Sequence, residues 1–323
     1  MLKNEEAIKE VARQATTLDA SASSHWEGQE GQGREYDLAN DPLDFSKAIS
    51  SFNVIGPIGA ISSKTSLPYK VMHWVLQIPF RLMAIRFKLN DFWKIDRNAT
   101  AIAESQCRAY DGDLMRHTLT LAMLNEQLDM QKDGRLVAVI GDGFANMSSL
   151  LLAHNPNCRV ILVNLTKTLL LDLVFLRKAL PDENIALAQT ADELAAAVAL
   201  ADTRIIAVRA DDAHLLAQAP VTLGINIKSM MEMDPAITAA YFDVLRKSPT
   251  DQTAFYCCNL DKKTWADGTV ISFSDYPWHE DDKLLVDALC PWDQFGYRKQ
   301  LPFYYKRSGL NRHRLAYLKK QTN

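Results

Sequence analysis

The sequence predicts an α/β fold built on a doubly wound parallel sheet. Two observations predict it: five continuous apolar runs, the first beginning at Arg135, alternate with segments of helical periodicity, and a glycine-rich turn follows the first run. Strands of a parallel sheet are buried on both faces and read as continuous apolar runs, whereas helices show three- and four-residue spacing. We expect helices on both faces of the sheet, an N-terminal helical cap and a C-terminal β-hairpin.

Composition limits the classes of protein that fit. Of the 323 residues, 48% are hydrophobic and 23% are charged, and the net charge is −3, which is typical of a globular chain and not of a disordered one. The slightly acidic balance argues against a nucleic-acid partner. Five cysteines without a CxxC spacing predict neither a disulfide framework nor a zinc site, and we expect no metal.

The beginning of the chain carries no apolar signal segment, and the apolar stretch at residues 71–85 is too short to span a membrane. We therefore expect a cytoplasmic protein. Residues 68–89 mix aromatic side chains with Lys70, Arg81, Arg86 and Lys88. Such a segment suits either a lid packed on the main domain or peripheral contact with a membrane surface. Packing is favoured, because Pro79 would interrupt a continuous interfacial helix.

The pattern divides the chain into three parts. Residues 1–66 are a leader, with a short amphipathic helix over 1–17 and a polar, glycine-containing remainder that we expect to be partly mobile. Residues 67–131 are predicted to be helical throughout and to form a cap region, and Gly134 marks their end. Residues 132–323 are predicted to form the α/β domain.

Within that domain each apolar run is assigned to a strand. The predicted strands are residues 135–140, 158–165, 204–210, 221–227 and 253–260, and the predicted helices are residues 148–154, 166–180, 192–200 and 235–247. Residues 185–189 are either a further short strand or the lead-in to the next helix. Gly224 weakens the fourth strand. Asp267-Gly268 between alternating residues predicts a hairpin.

The glycine-rich turn is the most informative motif. Gly141, Asp142 and Gly143 follow the first strand and precede a helix, and helix N-termini at the carboxyl edge of such a sheet bind ligands. A dinucleotide site has a third glycine and an acid ending the second strand. This chain has Asn146 and Asn164 at those positions. A nicotinamide-dependent oxidoreductase is therefore the weaker of two cofactor interpretations.

The stronger interpretation comes from a resemblance. The turn sequence VAVIGDGFANM resembles the first motif of the class I S-adenosylmethionine (SAM)-dependent methyltransferases, which have a Rossmann-like sheet; it departs at Val139 and Ala145. More specifically, the chain resembles the bacterial sugar O-methyltransferase family. The segments that carry this resemblance are residues 140–152, 163–173, 229–246, 255–259, 267–278 and 289–292. The resemblance implies SAM as cofactor and a sugar or glycan hydroxyl as methyl acceptor.

Five positions are predicted to bind the cofactor around the first strands. Gly141, Asp142 and Gly143 form the turn, and Asp142 either meets the cofactor or caps the following helix. Asn164 stands where the family contacts the ribose, or it is an N-cap. Asp211 follows the third strand, where the superfamily often faces the adenine amino group; a solvated loop acid is the alternative.

The end of the fourth strand is predicted to lie beside the sulfonium. Ser229 and Met230 are assigned there, although methionine more often fills core gaps. O-methylation requires a base for the hydroxyl proton. The candidates are Glu232, which the flanking methionines could desolvate, and Asp275 and His279 near the expected rim. The departures from the family motif also leave open a catalytically degenerate, glycan-binding or scaffold protein.

Overall fold

The computed structural model describes residues 1–15, 19–23, 66–130 and 134–321, and within them the chain folds around a nine-stranded mixed sheet. The strands are β1 (Leu2–Lys3), β2 (Leu136–Ile140), β3 (Arg159–Asn164), β4 (Asn184–Leu187), β5 (Thr203–Arg209), β6 (Leu223–Ile227), β7 (Thr253–Leu260), β8 (Lys262–Thr264), β9 (Val270–Ser272), β10 (Lys283–Leu289), β11 (Phe295–Tyr297), β12 (Tyr304–Lys306) and β13 (Asn311–Leu318). The helices are α1 (Asn4–Gln14), α2 (Leu67–Leu76), α3 (Ile78–Arg86), α4 (Phe92–Ser105), α5 (Gly112–Leu128), α6 (Asn146–His154), α7 (Thr166–Ala179), α8 (Ala191–Ala199) and α9 (Pro235–Lys247).

The order of the strands locates the ligand-binding edge. The sheet runs β1-β4-β5-β3-β2-β6-β7-β13-β10, with parallel pairing from β4 through β7 and antiparallel strands at both ends. The chain leaves β2 toward β3 and later returns to β6 on the other side of β2. The strand order therefore reverses between β2 and β6, and the crevice at such a reversal, beyond the carboxyl ends of the strands, is where ligands bind in open α/β sheets. The predicted α/β class is confirmed.

The fourth predicted strand forms despite its glycine. A Cβ atom added at Gly224 would lie 2.8 Å from Cδ1 of Leu245 and 3.0 Å from Cδ2 of Phe255. Gly224 therefore lets α9 pack closely against the sheet, and its presence reflects close packing rather than a weak strand. Residues 185–189 contribute β4, which settles the other open assignment in favour of a strand.

The cap region consists of four helices, α2 to α5, separated by short breaks, rather than one continuous helical segment. The break between α2 and α3 falls at Gln77, two residues before Pro79, as proline geometry requires. Helix α5 is buried along most of its length and packs on α6, so the cap region shares one core with the sheet. Helices α2 and α3 leave large apolar side chains exposed, among them Val71, Trp74 and Ile85.

The leader differs from the prediction in its first residues. Strand β1 pairs antiparallel with β4, and α1 buries Ala7, Ile8, Val11 and Ala12 against the main domain, where it packs on α7. The amphipathic stripe of α1 thus has a partner, and residues 1–15 belong to the sheet domain rather than to a loose leader. Most of the segment expected to be mobile lies outside the described residues. No helix in the described ranges is long and apolar enough to cross a membrane.

The C-terminal region is richer in strands than predicted. The expected hairpin at Asp267-Gly268 forms as β8 and β9, with Gly268 at φ +89°. In addition, β13 lies between β7 and β10 and extends the main sheet. The basic composition of this last segment hid a strand, because the side chains of Arg312 and Arg314 alternate with buried ones such as His313 and Leu315.

A buried ion pair joins α9 to this C-terminal region, and its loss is expected to destabilise the protein. Arg246 meets Asp282 in a bidentate pair at 2.6 and 2.8 Å, with both side chains at most 1% exposed. Replacing Arg246 by methionine leaves a buried carboxylate without its cation, so we expect a loss of about 3–5 kcal/mol in urea unfolding. Lys247→Met breaks the exposed pair with Asp243 on the same helix and should cost less than about 1 kcal/mol.

The pH dependence of that stability tests the same pair. Burial acts to raise the pKa of Asp282, but the hydrogen bonds from Arg246 and two backbone amides outweigh it, and the net pKa is lowered. A folded-state pKa below the unfolded one stabilises the protein above the unfolded pKa, near 4, and this stabilisation disappears as the pH falls through the folded value. Equal losses for Arg246→Met and Lys247→Met at pH 7 would contradict this account.

Candidate functional site

The site is built where β2 and β6 end side by side. Gly141 has φ +73°, and its amide donates to the carbonyl of Val163 at 2.8 Å. A Cβ atom at this position would lie 2.2 Å from Oγ of Ser229, the second residue after β6. The Ser229 hydroxyl donates to the carbonyl of Ile140 at 3.1 Å, and the Asn226 amide donates to the same carbonyl at 3.0 Å. Only glycine fits at position 141, because both its backbone conformation and its neighbour exclude a side chain.

The rest of the glycine-rich loop has an open side and a buried support. Gly143 has φ +86°, and an added Cβ would meet no atom within 4 Å, so the backbone there is accessible to a ligand. The support is Asp172 on α7, which is fully buried and accepts hydrogen bonds from the Ala145 amide and from Nδ2 of Asn164, both at 2.8 Å. Burial, with the nearby charge of Asp142, raises the pKa of Asp172 well above its usual range.

Asp172 was not assigned a role from the sequence. The signal was present, because this aspartate interrupts an otherwise apolar stretch of α7, from Leu169 to Leu176. An acid in such a stretch needs polar partners. Here the partners are the loop and Asn164, so Asp172 fixes two of the predicted cofactor positions relative to each other.

Asp142 acts as a helix cap in this structure. Its Oδ1 accepts from the Met147 amide at 3.0 Å, and its Oδ2 accepts from the amide and hydroxyl of Ser148 at 2.8 and 2.7 Å. A carboxylate in this position satisfies amide groups that lack partners within the helix and interacts favourably with the helix dipole. Asp142 therefore shapes the loop and remains half-buried beside it.

Asn164 does not cap α7. Its Nδ2 bonds Asp172, and its Oδ1 accepts from the Leu165 amide at 2.9 Å. The α7 N-terminus is instead capped from outside, by the carboxylate of Asp19, which accepts from the Thr166 amide at 2.8 Å and from the Thr166 hydroxyl. The N-terminal part of the chain thus brings a carboxylate to the start of α7, two residues beyond Asn164.

Residues 19–23, here named the N-terminal strap, cross the crevice at this point. Besides the contact of Asp19, the Asp211 carboxylate accepts from the amides of Ala20 and Ser21 at 3.1 and 2.8 Å, and the Ser23 hydroxyl donates to the carbonyl of Glu232. Burial acts to raise the pKa of Asp211, but the hydrogen bonds from the strap lower it. Asp211, which was predicted to face an adenine amino group, therefore accepts hydrogen bonds from two backbone amides of the strap.

A small cavity lies between the strap and the sheet. Four predicted residues line it together with Ser21 and Ser23 of the strap: Gly141, Asn164, Ser229 and Glu232. Its free space is about 40 Å³, room for only a few water molecules. These predicted positions, taken from three different strand ends, are brought together by the fold.

The remaining predicted residues near the fourth strand differ in placement. Met230 is fully buried and packs in the core beside Cys257, so it fills the core rather than lining the crevice. The Glu232 carboxylate lies 2.7 Å from Nζ of Lys263 on β8. Glu232 is therefore an ion-paired residue at the crevice wall, in contrast to the desolvated acid that its methionine neighbours suggested.

Asp275 and His279 are not brought to the crevice. The His279 amide donates to Asp282, which pairs with Arg246 near the C-terminal end of α9. That end of α9 leads into the start of β7, so His279 lies at the amino edge of the parallel strands, opposite Gly141. Asp275 is exposed and accepts from the Ser274 hydroxyl at 3.1 Å. Neither residue lines the small cavity beneath the strap.

A buried charge cluster at the same sheet edge was missed entirely. Asp293, with no exposed side-chain surface, is contacted by three cations: Nζ of Lys228 at 3.0 Å, Nε of Arg307 at 3.1 Å and Nη1 of Arg116 at 3.4 Å. Arg116 also pairs with Asp113. Only Asp113 and Arg116, both on α5, are close in sequence. The other members are far apart along the chain, so no local spacing of residues could indicate the cluster.

Lys228 is the member of this cluster nearest the strand reversal. It immediately follows β6, has φ +62°, and precedes Ser229. Burial and the charges of Arg116 and Arg307 lower the pKa of Lys228 to about 8, against the opposing attraction of Asp293. Because an amine with such a pKa is partly neutral near pH 7, Lys228 can take up a proton there.

Among the described residues, no group of three or more His, Cys, Asp and Glu side chains could hold a metal ion.

Comparison with known proteins gives similarity at the level of solved structures. No family profile and no curated protein matches the chain. Matching structures include the pyocyanin biosynthetic protein PhzM, 11% identical over 62% of this chain and 57% of that one, with a TM-score of 0.35. Magnesium protoporphyrin IX methyltransferase from Synechocystis PCC 6803, solved with bound SAM, is 12% identical over 64% and 80%, with a TM-score of 0.37.

A third structure, of MtNAS in complex with MTA and tNA, is 11% identical over 96% of this chain and 85% of that one, with a TM-score of 0.38. The chain spans less than two thirds of the length of PhzM. Because all three TM-scores lie below 0.5, these similarities show neither the reaction nor the acceptor of this chain.

The contact between Gly141 and Ser229 makes a matched pair of substitutions informative. Gly141→Ala should lower the melting temperature by several degrees, because the new methyl group overlaps Ser229 and the backbone is strained. Combining it with Ser229→Gly removes the overlap, so part of the loss should return, although the strain at φ +73° remains. Calorimetric melting of the single and double variants checks this; a double variant no more stable than the sum of the single losses would argue against the contact.

Proposed function

We propose that the chain is a SAM-dependent O-methyltransferase. The observation that carries this proposal is the convergence of Gly141, Asn164 and Ser229 at the strand reversal, within segments that resemble the sugar O-methyltransferase family. We further propose a hydroxyl of a sugar or glycan intermediate as the acceptor, on the basis of the sequence resemblance, and a cytoplasmic location.

The residues present fit such a cofactor, with one condition. The open backbone beside Gly143 and the support from Asp172 suit the methionine part, and the Asn164 side chain borders the place of the ribose. The space beneath the strap is too small for an adenosine, so Ser21 and Ser23 have to move to admit one. Asp211 would then exchange the strap amides for an amino group of similar donor character.

When bound, SAM would supply a methyl group on a sulfonium whose thioether is a good leaving group, so the acceptor oxygen would gain the methyl carbon as the carbon–sulfur bond breaks. The part left to this chain is to take the proton of the acceptor hydroxyl. Lys228 is our proposed base, because it adjoins Ser229 at the carboxyl edge of the sheet, where the buried Asp293 holds it and the charges of Arg116 and Arg307 favour its neutral form. Alignment of the hydroxyl with the methyl carbon is the other requirement.

The first test is direct titration with SAM and with its demethylated product. We expect micromolar affinity by isothermal titration calorimetry, and Gly143→Val should abolish it, because the side chain enters the space beside the loop. Gly268→Val is the matched control: its φ of +89° imposes the same backbone strain, and its Cβ also meets no atom, but it lies in the β8–β9 turn. Absence of binding to the wild-type protein, or equal weakening by both substitutions, refutes this assignment of the site.

The second test distinguishes the two candidate bases. With Lys228 as base, methyl transfer from radiolabelled SAM to a panel of sugars should increase as the pH rises through about 8, because the neutral amine is the active form. Lys228→Met should remove this rise and lower the rate by 10²–10⁴-fold. Glu232→Gln should retain it. A rise that survives in Lys228→Met but is lost in Glu232→Gln would transfer the role to Glu232.

The alternatives predicted from the sequence are tested by the same titrations. Binding of NAD(P) in place of SAM would support the oxidoreductase, which Asn146 and Asn164 disfavour. A degenerate, glycan-binding or scaffold protein is the other alternative, in which the strap would keep its hydrogen bonds across the crevice. That protein would bind glycans but neither cofactor.

A further inference from the structure

A second cavity lies between α2, α4 and the segment that leads into α5. We name it the helix cavity. Its residues include His73, Trp74, Arg81, Arg108 and Tyr110, and none of them lines the crevice under the strap. Its volume of about 290 Å³ is at the lower end of the range for small-molecule sites, roughly 300–1,000 Å³.

The walls of the helix cavity are mainly flat and apolar. Val71 and Trp74 on α2 face Ala103 on α4, and Ala109 continues the apolar lining. The guanidinium of Arg81 lies between two rings, 5.8 Å from the centre of Trp74 and 5.7 Å from that of Tyr110. Planar surfaces of this kind stack on planar ligands.

Two buried arginines in the lining, Arg81 and Arg108, each have a hydrogen-bond donor without an acceptor among the described residues. The side chains of Arg108 and Arg81 are 0% and 8% exposed. Within the described part of the chain, Nη1 of Arg108 and Nε of Arg81 have no hydrogen-bond partner. The closest carboxylate oxygen to Nη1 of Arg108 belongs to Asp111, at 3.6 Å, which is an ion pair but too long for a hydrogen bond. A buried donor without an acceptor costs about 1–3 kcal/mol, so an acceptor atom placed here would be stabilising.

His73 adds a third unsatisfied position at the same wall. Its Nδ1 bonds the Tyr297 hydroxyl at 2.8 Å, while its Nε2 is buried and has no partner among the described residues. Burial, together with the charge of Lys299, lowers the pKa of His73 to about 4, so the ring is neutral at pH 7. It therefore does not add a third positive charge to the cavity.

We propose that the helix cavity binds a flat, mainly apolar molecule of aromatic type that presents a carbonyl or carboxylate oxygen to Arg108. This site is separate from the SAM crevice, and the proposal stands without the proposed methyl transfer. The two sites share one link, because Nη2 of Arg108 donates to Oδ1 of Asn146 in the glycine-rich loop.

Other ligand classes fit the helix cavity less well. A sugar has hydroxyl groups on every side, which the apolar walls of Val71, Ala103 and Ala109 would leave without partners. A cationic ligand would meet the guanidinium groups of Arg81 and Arg108, whose carboxylate partners Asp96 and Asp111 do not line the cavity. Lys70 and Glu104 pair with each other at 2.8 Å on the rim, outside the buried part.

The test is a calorimetric titration of the full chain, in the absence of SAM, with three probes. 2-Naphthoate carries the flat ring and the acceptor oxygen, 2-naphthylmethylammonium carries the same ring with a cation, and methyl α-glucoside represents a sugar. We expect one binding site for naphthoate, at least tenfold weaker binding of the ammonium compound, and no binding of the glucoside.

Variants then place the binding in the helix cavity. Thr100 is exposed and lines the cavity, so Thr100→Phe should fill its entrance and weaken naphthoate at least tenfold without disturbing the core. Trp74→Ala should weaken naphthoate at least fivefold by removing a wall. Trp93→Ala is the matched control, because Trp93 is similarly exposed but packs on Phe92 outside the cavity, and its affinity should stay within twofold. Melting curves confirm that each variant is folded.

Three outcomes would overturn the proposal: no heat of binding with naphthoate, equal or tighter binding of the ammonium compound or the glucoside, or naphthoate binding that Thr100→Phe and Trp74→Ala leave unchanged. A negative result with SAM alone does not affect this test, because the probes are measured without it.

Discussion

The close contact between Gly141 and Ser229 is the constraint on which the rest of the site depends. It holds the ends of β2 and β6 together at the point where the strand order reverses. A side chain at residue 141 would push against Ser229 at the start of the loop whose Ala145 amide bonds Asp172. Two features therefore fix the carboxyl edge of the sheet: the lack of a side chain at Gly141 and the buried carboxylate of Asp172. The other groups of the site lie around them.

Elements distant in sequence complete this edge. The strap brings Asp19 to the N-terminus of α7, and α5 brings Arg116 to Asp293. The charge cluster around Asp293 contains three cations, each within 3.4 Å, which is possible in a buried place only because the carboxylate offsets part of their repulsion. Asp19 and Asp293, near opposite ends of the sequence, thus contribute to an edge that is formed by the ends of β2, β3 and β6.

The sequence predicted correctly those elements that depend on the local pattern of residues, namely the strands and the glycine-rich turn. The apolar runs located β2, β3, β5, β6 and β7, and the glycine-rich turn located the end of β2, because buried strands are rich in apolar residues and positive φ favours glycine. Strand β13 was missed because half-buried arginines concealed its alternation. The strap, the cluster around Asp293 and the placement of His279 were missed because each depends on contacts between residues far apart in the chain. Asp172 was also missed, although the local sequence indicated a polar contact there, because this acid interrupts an apolar stretch of α7.

The strap also has a consequence for the time course of ligand entry. Its hydrogen bonds to Thr166, Asp211 and Glu232 must break before a molecule larger than a few waters can occupy the space below it. At high ligand concentration the observed association rate should therefore stop rising and approach the rate at which the strap opens. The N-terminal residues would then act as a kinetic gate whose speed is independent of the affinity of the molecule that enters.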